Sequence, residues 1–191
     1  MKMKCLFALF CQIISLQLVL LMIGGCTGTK SERHEIERII RRYNDLVAEG
    51  YRNQDMNPLQ EVTTREQAVK LYHHMSALGE GRLRMESTIR DIRFKKLEQL
   101  DRTQATVETE EVWDFTHYRM DSGEKYAEEK DFLYRMGYVL NKQGASWIIT
   151  NVNTLGGTST NSVIPWPELD RHGNTIKRPP SAGAMAPSSR Q

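Results

Sequence analysis

Between residues 83 and 155 the chain carries its apolar residues at steps of two, and this constrains its fold more than any other feature. A period of two puts alternate side chains on opposite faces of a strand, so one face can be buried and the other wetted. Four segments read this way: LRMESTIRDIRFKKLEQL, ATVETEEVWDFTHYRM, KYAEEKDFLYRMGYVLNKQ and SWIITNVNTL. The links DRTQ, DSGE (Asp121 to Glu124) and KQGA are short and rich in turn formers. Long strands joined by tight links can only pair antiparallel with their neighbours, which predicts a meander.

Upstream the period is helical. Ile36, Ile39, Ile40, Tyr43, Leu46 and Val47 form one stripe at steps of three and four. Ser31 is the expected N-cap, with His34 where a capping box would place Glu, and Glu49-Gly50 is the expected end. A short turn is expected near Pro58 to Val62. Thr64 then caps a second helix with Ala68, Leu71, Tyr72 and Met75 on its apolar face, stopped by Gly79 and Gly81. Helices first and strands afterwards predict an α+β fold, two helices on one face of a curved antiparallel sheet of about four strands.

The ends read differently. Residues 1–25 combine a positive start (MKMK), an apolar run and a small-residue flank, as a secretory signal does. The run is also near the ~20 residues that span a bilayer, so an uncleaved anchor is the competing reading. The sequence Ile23-Gly24-Gly25-Cys26 resembles a bacterial lipobox. That resemblance implies cleavage before Cys26, a diacylglyceryl thioether on its sulfur and acylation, commonly by palmitate, of the new amine. Several acyl chains hold a protein firmly to a bilayer. Thr27 follows where an aspartate would resemble an inner-membrane retention signal, which favours the periplasmic face of the outer membrane over the inner membrane. Residues 26–31 are then a tether and 32–155 the domain. Residues 156–191, rich in Gly, Pro, Ser and Thr, are expected to be disordered. Within them VIPWPELD, around Trp166, either packs back on the sheet, docks a partner or is tail like the rest.

All three cysteines, Cys5, Cys11 and Cys26, fall in the first 26 of 191 residues, so the domain has no disulfide framework. Without Lys2 and Lys4 the 26 basic residues become 24, equal to the acidic count. The basic footprint of a nucleic-acid binder is missing.

The order of elements, together with Ala105, Thr106, Val107, Glu111 and Trp113, then Trp147 and Ile149, resembles the NTF2-like superfamily and within it Tim44-like and IMS-type domains. The resemblance covers about residues 32–155 and implies a cone in which the sheet curls round the helices. Enzymes, ligand binders and assembly domains share that fold, so it does not fix function.

NTF2-like enzymes place an Asp or His base on strands lining the cone, which makes Asp114, His117, Tyr118 and Asp131 the residues to weigh. Trp113, Phe115 and His117 share one strand face and Asp114, Thr116 and Tyr118 the other. The bulky face is expected inward, making His117 the weak catalytic candidate and Asp114 a surface charge. No orienting partner for His117 is identifiable, and a general base needs one. The expected pocket lining is Trp113, Phe115, His117, Tyr134 and Trp147, from an aromatic set that also includes Tyr126, Phe132 and Tyr138 and is mostly core. Neighbouring His73 and His74 point about 100° apart on a helix and cannot chelate one metal. The runs Glu108-Glu110-Glu111 and Lys125-Glu128-Glu129-Lys130 read as solvated faces. No phosphate, dinucleotide, hydrolase or zinc motif is present in the sequence. No metal or cofactor is expected.

Three readings follow. The first is a lipid-anchored, non-catalytic envelope protein whose domain binds a protein partner in export or assembly, with homodimer formation through the sheet; it expects a cone filled by side chains. The second is a small-molecule binder or cyclase/isomerase-type enzyme with an open apolar cone. The third retains the leader as the single span of an inner-membrane secretion scaffold. Mass spectrometry of the mature N-terminus separates the third from the others. The expected result is an acylated Cys26, and a Cys26→Ser chain is expected to leave the membrane fraction or remain uncleaved.

Overall fold

A computed structural model of the protein describes residues 27–168. The signal-like leader and Cys26 lie outside the described residues, as does the chain beyond 168. Among the described residues no helix is long and apolar enough to cross a membrane.

Helix α1 spans Thr27–Asn53 and helix α2 spans Arg65–Glu80, with a 3-10 turn at Asn57–Glu61 between them. The α1 stripe of Ile36, Ile39, Ile40, Tyr43 and Leu46 is buried, as its spacing predicts. Both ends of α1 differ from expectation. The helix already includes residues 27–31, expected as a tether, so Ser31 lies inside it and is not its cap. It also runs through Gly50. A Cβ there would sit 2.6 Å from Met56 Sδ and 3.1 Å from the Asp55 carbonyl, so Gly50 lets the following loop close against the helix. The stop is Gln54, whose φ of 55° is left-handed, while Asp55 N–H donates to the Gly50 carbonyl at 3.0 Å. A six-to-one bond of this kind satisfies a carbonyl that the helix end leaves bare. Thr64 caps α2 as expected, its hydroxyl accepting from Gln67 N–H at 3.4 Å.

Strands β1 (Leu83–Gln99), β2 (Gln104–Arg119), β3 (Lys125–Gln143) and β4 (Ser146–Thr158) pair antiparallel in sequence order. The sheet does not stop at Leu155. After β4 ends at Thr158, β5 (Asn161–Ile164) rejoins β3 beside Glu128 to Lys130, so this part of the expected tail belongs to the sheet. Both helices pack on the sheet, with contacts to β1 and β4. The 3-10 turn is stitched to β4 by Thr64 N–H to the Ile149 carbonyl (3.0 Å) and Ile149 N–H to the Val62 carbonyl (2.9 Å).

Extra residues curl the sheet. Register shifts fall at Ile89/Asp91 and Phe94/Lys96 in β1, and at Trp113/Phe115 and His117/Tyr118 where β2 meets β3. Each gives one strand an extra residue, bends it and steepens its twist. The largest shift sets Lys130 and Asp131 of β3 opposite Asp114 alone; Asp131 has a φ of 53°, and its N–H donates to Asp114 Oδ1 at 3.0 Å. Lys130 Nζ adds a contact to Asp114 Oδ2 at 3.4 Å. The outward charge expected at Asp114 therefore secures a bulge. The bulge also corrects the parity of β3: before it Ala127 faces the interior, and after it Phe132, Tyr134, Met136 and Tyr138 do. Tyr126, which unbroken alternation would group with them, does not line that interior.

The core joins the α1 stripe to Leu59, Val107, Tyr138, Leu140, Trp147 and Ile149. Ile40 is fully buried there. Ile40→Ala is expected to cost ~2–5 kcal/mol, through lost transfer energy and the cavity left behind. Urea unfolding is expected to show a lower midpoint at an unchanged slope.

Candidate functional site

The curled sheet and the two helices enclose an open cavity of about 630 Å³. Pockets for small molecules commonly have ~300–1,000 Å³. The cone that the first reading expects to be filled is hollow, as the second reading expects.

Its walls are aromatic. Trp113 and Phe115 of β2 lie nearly parallel, with centroids 6.0 Å apart, and Phe115 meets Phe132 and Tyr134 of β3 edge-on at 6.0 and 5.9 Å. Phe132 and Tyr134 are themselves 4.5 Å apart. Gly157 of β4 makes that arrangement possible, because a Cβ there would lie 2.9 Å from the Phe132 ring. Gly157 falls in the segment read from composition as tail, so its role was not visible.

The deep end is polar. Glu111 of β2 is 1% exposed, and three donors converge on it. Thr109 Oγ1 donates to Oε1 at 2.7 Å, the Tyr138 hydroxyl to Oε1 at 2.6 Å, and Trp113 Nε1 to Oε2 at 2.9 Å. The Tyr138 oxygen also lies 3.3 Å from Asn44 Oδ1 of α1. Burial first, then the nearby Glu111 charge, pushes the Tyr138 phenol well above its usual range. Tyr43, whose ring meets Tyr138 edge-on at 5.9 Å, is pushed up to about 12, chiefly by burial. Two buried polar atoms of cavity-lining residues have no partner: Asn44 Nδ2 and Ser87 Oγ.

The rim carries His117, His74, Glu128, Glu129 and Trp166. Trp166 lies over the His117 ring with centroids 4.6 Å apart and meets Tyr126 edge-on at 5.5 Å. Of the open readings for VIPWPELD, packing back is the one the geometry realises. His74 Nδ1 is hydrogen-bonded to the Tyr51 hydroxyl. Burial lowers the pKa of His74, and lowers that of His117 from 6.5 to about 4, with a smaller contribution from His74.

Of the residues expected to line a pocket, Trp113, Phe115, His117 and Tyr134 do so. Trp147 does not; it is 2% exposed within the core. Glu111 and Glu128, read as solvated, are buried at 1% and 7%. Parity held the signal for Glu111, which stands two residues from inward-facing Trp113. Asn44 carried no signal, since a polar residue within a helix is ordinarily on its wet side. Among the described residues no group of three His, Cys, Asp or Glu could hold a metal ion.

No family model and no curated protein matches the chain. Solved structures do. The intermembrane-space region of the chloroplast protein ARC6 aligns with a TM-score of 0.53 at 14% identity, over 63% of this chain and 93% of its own. A scytalone dehydratase-like protein from Novosphingobium aromaticivorans covers 73% of this chain and 94% of its own at 14% identity, TM-score 0.43. An NTF2-like protein with a cystatin-like fold from the same organism covers 74% and 86% at 15% identity, TM-score 0.41. At such identities the likeness is one of fold alone: helices packed on a curled antiparallel sheet.

The His117 shift has a consequence for stability. A histidine whose folded pKa lies below its unfolded value contributes fully above the unfolded value and loses that contribution as pH falls through the folded one. Stability is therefore expected to fall between pH 6.5 and about 4. His117→Gln is expected to flatten that part of the melting-temperature profile.

Proposed function

We propose that this NTF2-like chain is a lipid-anchored envelope protein whose cone holds a small, largely apolar molecule without transforming it. The hollow aromatic cavity carries the reading. A filled cone would have favoured a surface-only role, whereas 630 Å³ bounded by Trp113, Phe115, Phe132, Tyr134 and Tyr138 of β2 and β3 suits a ligand of modest size.

Binding is preferred over catalysis on the geometry of His117. Its ring contacts are with Trp166, and among the described residues no carboxylate or hydroxyl is bonded to its nitrogens. Catalytic imidazoles are normally oriented by such a group. The buried carboxylate, Glu111, is engaged by three donors. An acid–base pair would require one of these groups to be free to exchange a proton with substrate.

The address rests on Ile23-Gly24-Gly25-Cys26. With acyl chains on Cys26 and α1 beginning at Thr27, the cone would stand close to the bilayer surface. A cone in that position could take up a molecule that partitions between membrane and water.

Native mass spectrometry of protein released from its own envelopes tests this reading. The expected result is a bound molecule of a few hundred daltons, absent from Ala127→Phe, which places a ring where the buried Ala127 faces the cavity. A wild-type protein without such a companion, or one retained equally by the filled variant, would overturn it.

A further inference from the structure

We infer that the molecule held in the cone is an organic cation, an ammonium group on an apolar body, with its nitrogen seated beside Glu111. The inference rests on the reading of the cavity as a ligand site and adds the ligand's charge.

Glu111 is buried, yet among the described residues it forms no ion pair. A buried carboxylate without a counter-charge is costly, and neutral donors offset only part of that cost. Oε1 accepts two hydrogen bonds and Oε2 only one. A carboxylate oxygen can accept two, so one position on Oε2 remains open. The rim carboxylates differ. Glu128 is paired with Lys125 at 2.8 Å and Lys130 at 3.4 Å, and Glu129 accepts from Ser159 at 2.7 Å.

Asn44 points the same way. The Tyr138 phenol has one proton, and the 2.6 Å bond to Glu111 claims it over the 3.3 Å approach to Asn44. The amide is then best turned so that its nitrogen donates to the phenol oxygen, a choice that coordinates alone do not make. This relieves the unpartnered Nδ2 and leaves Oδ1 as a buried acceptor. Ser87 Oγ, also unpartnered, offers further lone pairs. The open position on Glu111 Oε2 and the turned Asn44 Oδ1 thus lack a donor, while the Ser87 hydroxyl can serve in either role. Among the described residues no Lys or Arg lines the cavity, and its two histidines have lowered pKa values.

The walls fit the same charge. The faces of Trp, Tyr and Phe rings attract ammonium ions, more strongly where water is excluded. Trp113, Phe115, Phe132 and Tyr134 surround the approach to Glu111. An anion seated at the deep end would meet the Glu111 carboxylate. A metal ion would lack ligands, since no suitable group of three is present among the described residues.

A matched series tests the charge. 2-Naphthylmethylammonium, 2-naphthylmethanol and 2-naphthoate share one apolar body and differ in charge. Each is titrated into the full-length protein in lipid nanodiscs, with empty nanodiscs as the blank, and read by calorimetry. The ammonium is expected to bind at least about tenfold more tightly than the alcohol, and the carboxylate most weakly. Glu111→Gln, which keeps the side chain's shape and an acceptor for Thr109 and Tyr138 but sets an amide N–H group against Trp113 Nε1, is expected to bind the ammonium no more tightly than the alcohol measured on the same variant. Its folding is checked by a cooperative melt, and the wild-type order stands as a test by itself if the variant fails to fold. An alcohol or carboxylate that binds as tightly as the ammonium overturns the cation assignment and leaves the cavity as a ligand site. Binding of none of the three overturns both.

Discussion

One buried carboxylate holds the hollow of this protein open. Glu111 gathers Thr109 and Trp113 from its own strand and Tyr138 from the next, and Tyr138 carries the connection on to Asn44 of α1. Sheet and helix are therefore joined across the deep end by hydrogen bonds that need fixed positions, where apolar contacts alone would favour collapse. The indole bond has a second effect. It fixes the Trp113 ring, and with it Phe115 stacked alongside, so the polar anchor also sets the aromatic wall. Networks of this kind define one geometry when every member is satisfied. Here one member, Asn44, keeps an unpartnered atom among the described residues, as does Ser87 elsewhere on the cavity lining.

The sheet contributes shape through irregularity. Regular antiparallel strands of this length would form a twisted but open surface. The extra residues in β1, β3 and β4 bend them into a wall that wraps the helices. The same shift that bends β3 splits its partner into β4 and β5: Thr160 lies between the two and bonds the Asp131 carbonyl at 2.6 Å. The path from β5 then brings Trp166 over His117 at the rim. The bend in β3, the break in the last strand and the cover at the mouth all lie along the path set by the residues opposite Asp114.

Much of this was legible in the sequence, and the misses have physical causes. The α1 stripe and the strand periods gave the elements, because burial on one face imposes spacing. The inward set Trp113, Phe115 and His117 followed from parity. Bulges were harder, since an extra residue looks like a lapse in alternation. The step from Ile89 to Ile92 was such a lapse, and it marks the β1 shift between Ile89 and Asp91. Glu111 was misread by its chemistry, although its position placed it with Trp113. Trp147 was misplaced because an aromatic residue on an inward face can pack under a helix as readily as line a space. Gly157 and Trp166 sat in a stretch whose composition resembles tail; their roles depend on Phe132 and His117, distant in sequence, and no local pattern could show them.

The bulge at Lys130 and Asp131 means that the character of the cavity wall is kept by counting as much as by chemistry. Every side chain of β3 beyond it owes its direction to the presence of one additional residue. Loss of a single codon there would leave the composition almost untouched. It would nonetheless present Leu133, Arg135 and Gly137 to the interior and turn Phe132, Tyr134, Met136 and Tyr138 toward water. In the evolution of such a chain, a one-residue length change at this point would be a far larger step than most replacements of the residues that line the cavity.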